Sequence, residues 1–176
     1  MKYFITISFF IILGFTSCKQ KIDSINTSEN KENVKMSNEK FIGSWELKEW
    51  TAELTSGKIV FPFGEDAKGR ITYDDFGNMT VQIMKKNRSQ FISEDPLQAQ
   101  PEEVYEAYNG FIAYCGYYEV NVDNNRVVHH IEISSFPNWV GQNQIRFFEF
   151  KDDKLILSTD LIGSSRHKLI WKKLKN

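Results

Sequence analysis

From Phe41 to Leu174, apolar and polar residues alternate with a two-residue period in a series of short runs, and most runs end in residues suited to tight turns. The runs are Phe41–Leu54, Lys58–Phe63, Gly69–Asp74, Asn78–Met84, Ile112–Val122, Arg126–Ser134, Gln144–Phe150, Lys154–Thr159 and His167–Leu174. Between them, Ser56-Gly57, Asp75-Phe76-Gly77, Asp123-Asn124-Asn125 and Asp152-Asp153 supply hairpin chemistry. This spacing predicts an all-β, antiparallel up-and-down barrel of about eight to ten strands, a closed form that leaves no bare sheet edge. One stretch breaks the period. Pro101–Gly110 opens with proline and two glutamates and ends in Asn-Gly, the start and stop signals of a short helix. Its apolar stripe of Val104, Ala107 and Tyr108, continued by Phe111, predicts a plug packed over one barrel mouth. Before it, Lys85–Gln100 reads as a long polar loop.

Within the runs, alternation assigns faces. Trp45, Leu47 and Glu49 share a face of the first strand. A two-residue turn at Asn124-Asn125 would set His129 opposite Val120 and Ile131 opposite Tyr118. Ile112, Tyr114, Tyr118, Val120, Val122, Val127, His129, Ile131 and Ile133 then line the interior, while Cys115, Tyr117, His130 and Glu132 face out. On the next strand Arg146, Phe148 and Phe150 form the inner set, since the opposite choice would bury Glu149. A guanidinium buried near His129 needs a carboxylate, a hydrogen-bonding group or the anionic end of a ligand.

Composition narrows the function classes. The 176 residues carry 22 basic and 23 acidic side chains, so no global field recruits nucleic acid. With 41% hydrophobic content, one core is the natural reading. Met1–Ser17 has one early lysine and then a mostly apolar run ending in small residues, the pattern of a secretory signal. Phe15-Thr16-Ser17-Cys18 is similar to the lipobox of bacterial lipoproteins, with Phe15 where an aliphatic residue is usual. The resemblance implies cleavage before Cys18, lipid on its sulfur, and a membrane-anchored protein of the cell envelope, periplasmic or surface-facing; the alternatives are an uncleaved anchor or a chance cysteine. Residues 18–40, rich in Lys, Asn, Ser and Glu, read as a flexible tether whose length as a coil is roughly 25 Å. Residues 41–176 form the domain. Cys115 is then left alone, more readily a packing residue than a nucleophile.

Several spaced motifs resemble one family. Gly43-Ser44-Trp45 is similar to the Gly-x-Trp of lipocalins and related calycin barrels, where the indole plugs one end; the resemblance implies a basic residue from the last strand across it, here Arg166 or Lys168. Phe61-Pro62-Phe63-Gly64-Glu65-Asp66-Ala67, the VQIM strand, the helix leading to FIAYCGYYEV, His129-His130 and Phe136-Pro137-Asn138-Trp139-Val140-Gly141 together resemble the lipocalin-like domain family of bacteria and fungi, from Phe41 to about Trp171. That implies a calycin-type barrel; for activity it implies only that some relatives handle small apolar molecules.

The leading expectation is a lipid-anchored protein holding a small hydrophobic ligand, contacted by Tyr114, Tyr118, His129, Arg146, Phe136 and Trp139. An isomerase, cyclase or hydratase with His129 as general acid or base is the alternative, although no nucleophile-base-orienter set is visible. A cell-envelope interaction module presenting Trp139 is the third. His129 and His130 point to opposite faces and cannot share one metal ion, so no metal is expected; a haem on His129 has no second cue, and no cofactor is expected.

Overall fold

The computed structural model describes residues 38–175. The lipidation signal and most of the tether therefore lie outside the described residues. Nine strands follow in order: β1 (Gly43–Leu54), β2 (Ile59–Val60), β3 (Lys68–Tyr73), β4 (Asn78–Met84), β5 (Phe111–Asn121), β6 (Arg126–Ser134), β7 (Asn143–Lys151), β8 (Lys154–Ser158) and β9 (Ser165–Lys173). Every neighbouring pair is antiparallel, and β1 pairs with β9 to close the sheet. Eight strands make an up-and-down barrel. The short β2 is the ninth; it pairs only with Ala52 and Glu53 of β1, beyond the segment that pairs with β3.

Strand direction gives the barrel two unlike ends. The turns at residues 74–77, 122–125 and 152–153 close one end. Phe41, with no exposed surface, fills it, packing against Tyr73, Tyr118, Phe148 and Phe150 at centroid distances of 5.1, 6.3, 5.1 and 4.9 Å. The Trp45 indole N–H donates to the Phe41 carbonyl at 2.8 Å, tying the entering chain to the first strand. Across the Trp45 ring lies the Lys173 ammonium, 5.0 Å from its centroid. Neither Arg166 nor Lys168 takes that place, because antiparallel register sets Trp45 opposite Lys173 while Arg166 and Lys168 oppose Glu53 and Thr51 at the far end of β1.

Two strands carry an extra residue. In β1 the register against β9 shifts between Leu47 and Glu49, leaving Lys48 unpaired. This bulge turns Glu49 outward and aims Trp50 and Ala52 into the barrel, correcting the face read for Glu49. In β6, Glu132 is extra: Ile131 opposes Gly116, but Ile133 opposes Cys115. Ile133 consequently points out, 68% exposed, rather than into the interior. Gly116 is required at this crossing because a β-carbon there would overlap the His130 carbonyl oxygen.

The β5–β6 turn holds four residues, 122–125, with Asn125 at φ 51°. His129 thus opposes Tyr118 and Ile131 opposes Gly116, two residues from the expected partners. A shift of two preserves the faces, which is why Val127, His129 and Ile131 are still buried.

The helix α1 (Pro101–Asn109) forms as the sequence predicts, with Glu103 accepting from the Gln100 backbone N–H at 2.8 Å. It does not plug the mouth. Val104 and Tyr108 are about half exposed and no residue of α1 is buried. The helix packs instead beside Lys85–Phe91, outside the barrel, and the mouth is bordered by Trp139 and Ile162.

Candidate functional site

At the open half of the barrel lies a cavity of about 230 Å³. Its wall is mostly aliphatic and aromatic: Ile71, Val81 and Ile83 from β3 and β4, Ile112 from β5, Leu157 from β8, and Leu169 and Trp171 from β9. Trp139, on the single 3₁₀ turn Pro137–Trp139 after β6, leans over it and meets the Tyr114 ring edge-on at 5.5 Å. Polar atoms enter the wall from Tyr114, Arg146, Thr159, Trp50 and His167.

Arg146 is the most unusual of these. Only 7% of it is exposed, and no carboxylate among the described residues forms an ion pair with it. Its Nη1 donates to the Ile145 carbonyl at 2.9 Å, and Nη1 and Nη2 reach the Gln144 side-chain oxygen at 3.4 and 3.5 Å. These neutral acceptors only partly replace water around a full charge. The charge is felt nearby. Burial first, and Arg146 second, lower the pKa of His129 well below the ordinary histidine value and lower that of His167. Burial also raises the Tyr114 hydroxyl, with Arg146 opposing.

His129 sits behind the wall, with no exposed surface. Its Nε2 is 2.8 Å from the Tyr73 hydroxyl and its Nδ1 3.3 Å from the Tyr114 hydroxyl. A neutral imidazole has one donor and one acceptor, so one tyrosine gives a proton and the other takes one. The cluster is a satisfied buried network, joined to the cavity only through Tyr114. Of the other predicted contacts, Tyr118 lies toward the closed end, where its hydroxyl donates to the Asp74 carbonyl at 3.0 Å. Phe136 packs edge-on against the back of Trp139 at 5.7 Å and does not line the cavity. The fold therefore brings Tyr114, Arg146 and Trp139 to the cavity and leaves Tyr118, His129 and Phe136 off its wall.

His130 faces out, stacked on Tyr117 at 4.3 Å and bonded to Asn143 at 2.8 Å. Its charged neighbour is Glu119 on the adjacent strand, 3.4 Å from Nε2 but outside hydrogen-bond geometry. Among the described residues no group of three His, Cys, Asp or Glu is placed to hold a metal ion.

Sequence reasoning missed Trp50, Thr159 and His167. The indole N–H of Trp50 donates to His167 Nδ1 at 3.1 Å, which places the imidazole proton on Nε2, toward the Ser165 hydroxyl at 3.2 Å. For His167 the signal was available, since alternation along β9 puts it with Leu169 and Trp171. For Trp50 it was hidden by the Lys48 bulge.

Known proteins resemble this chain in structure and in sequence. A redesigned β-barrel is similar with a TM-score of 0.42 and 9% identity, covering 78% of this chain and 95% of its own. A single-residue mutant of the fluorescent protein UnaG gives a TM-score of 0.36 and 13% identity, covering 78% and 99%. Neither likeness carries the assignment. By sequence, the chain is 36% identical over 107 residues to the 4'-hydroxy-3'-methoxypropiophenone carrier protein ppsC of Aspergillus oryzae, a match covering 54% of this chain and 96% of that protein. Residues 42–174, spanning every strand of the barrel, match the model of the lipocalin-like domain, and the chain belongs to that family.

Proposed function

We propose that this protein is a carrier that holds a small, mainly apolar molecule in its barrel, and that lipid on Cys18 keeps it at the cell envelope. The observation that carries the first part is the cavity: open at one mouth, walled by aliphatic and aromatic side chains, and crossed by few polar groups. The fungal relative, named as a carrier of a one-ring aryl ketone, supports the same reading. The cavity, of about 230 Å³, has room for one substituted aromatic ring with a short side chain.

Two other readings find less support. His129 has both ring nitrogens engaged and lies off the cavity wall, poor placement for a general acid or base. Trp139 leans into the cavity, whereas a surface interaction module would present it to solvent. The test is titration of the full-length protein, extracted in detergent, with one-ring aryl ketones, following quenching of tryptophan fluorescence. Saturable quenching at one site per chain is expected, and Trp139→Ala should weaken it. Absence of saturable binding by the ketones and by an apolar fluorescent probe would remove the carrier reading. Intact mass of the same sample tests the anchor separately: a chain beginning at Cys18 with added acyl mass is expected, and an unmodified cysteine would refute it.

A further inference from the structure

Resting on the carrier reading above, we infer that the ligand bears an anionic head, a carboxylate or an ionised phenol, seated on Arg146, with its apolar body toward Trp50, Trp139 and Leu169. Three observations converge. Arg146 is more than nine-tenths buried and lines the cavity, yet its protein partners are all neutral: the Gln144 amide oxygen, the Ile145 backbone carbonyl and the neighbouring Tyr114 hydroxyl. Among the described residues lining the cavity there is no Asp, Glu or Lys, so Arg146 is its one permanent charge. The remaining polar groups either are committed elsewhere or add donors. Trp50 N–H is spent on His167; Thr159 accepts from the His167 backbone N–H at 3.0 Å, and its own proton has no acceptor among the described residues.

This inventory favours acceptors over donors. A ligand ammonium would meet a buried guanidinium of like charge, and a hydrocarbon would leave that guanidinium desolvated and unpaired. A carboxylate or phenolate supplies both the counter-charge and the lone pairs, in the planar geometry that a guanidinium fork accepts. His129 and His167, held neutral by burial and by Arg146, do not compete for the anion.

The experiment compares hydrocinnamate, hydrocinnamyl alcohol and the corresponding amine, three probes of nearly one shape, on the full-length protein by calorimetry at neutral pH. Hydrocinnamate is expected to bind about tenfold or more tighter than the alcohol, as charge-assisted pairing in a dry site requires, and the amine weakest. Arg146→Met, close in volume, should abolish the preference for the acid over the alcohol. Arg146→Lys should keep part of it, since the charge stays and the fork is lost. Equal affinity for acid and alcohol in the unmodified protein, a comparison that needs no variant, would overturn the inference while leaving the carrier reading intact. So would a preference that survives in Arg146→Met. Failure of all three probes to bind would overturn the carrier reading and the inference together.

Discussion

Replacing His129 by phenylalanine tests whether this residue is a structural hub rather than a reactive group. The substitution keeps an aromatic ring behind the cavity wall and removes both nitrogens. Tyr73 is 1% exposed and its hydroxyl bonds to His129 alone among the described residues, so it is left unsatisfied. Stranding a buried hydroxyl costs about 1–3 kcal/mol. Tyr114 keeps Arg146 as a neighbouring donor to its hydroxyl and adds less. The expected loss is therefore about 1–3 kcal/mol above pH ~7, read as a lower urea midpoint by tryptophan fluorescence. The pH dependence gives an independent reading. His129 is held neutral in the folded protein by burial and by Arg146, while in the unfolded chain it titrates near the ordinary value of about 6.5. Its depressed folded pKa means that stability is complete above about pH 6.5 and falls as the pH drops, because only the unfolded chain takes the proton. The slope is at most about 1.4 kcal/mol per pH unit. His129→Phe should lose that slope, apart from a smaller remainder from the half-buried His167. Adding Tyr73→Phe should recover stability, since removing both partners of a buried bond is nearly neutral. A loss under about 0.5 kcal/mol in the single variant, or an unchanged acid slope, would refute the hub.

Gly116→Ala should be severe for its size. The added methyl overlaps the His130 carbonyl at the β6 bulge, and backbone there cannot yield as a flexible side chain would; loss beyond the ~1–3 kcal/mol of ordinary overpacking is expected, checked by a thermal melt. Phe41→Ala should cost about 3–5 kcal/mol in chemical denaturation, because the ring is wholly buried among four others; a change near 1 kcal/mol would mean that the closed end does not depend on it.

What the sequence determined by itself is the part set within each strand. Alternation marks which residues can share a face, so the inward placement of Val127, His129 and Ile131 on β6, and of Arg146, Phe148 and Phe150 on β7, was legible, as was α1 from its proline and glutamates. The short hairpin turns between the runs supplied the order of the strands. Alternation does not record an extra residue. Lys48 and Glu132 look like ordinary outward positions, and only the neighbouring strands, holding their own register, turn them into bulges that bring Trp50 in and send Ile133 out. Similarly, Asn124-Asn125 permits a turn of two residues or four, and the packing of β5 on β6 selects four. The site depends still more on tertiary structure. That α1 stands beside the barrel, that His129 lies behind Tyr114, and that no carboxylate reaches Arg146 are facts about which strands meet, fixed when the sheet closes. A two-residue period can say that a charge points inward; it takes the closed barrel to show that it points into a cavity that supplies no counter-charge.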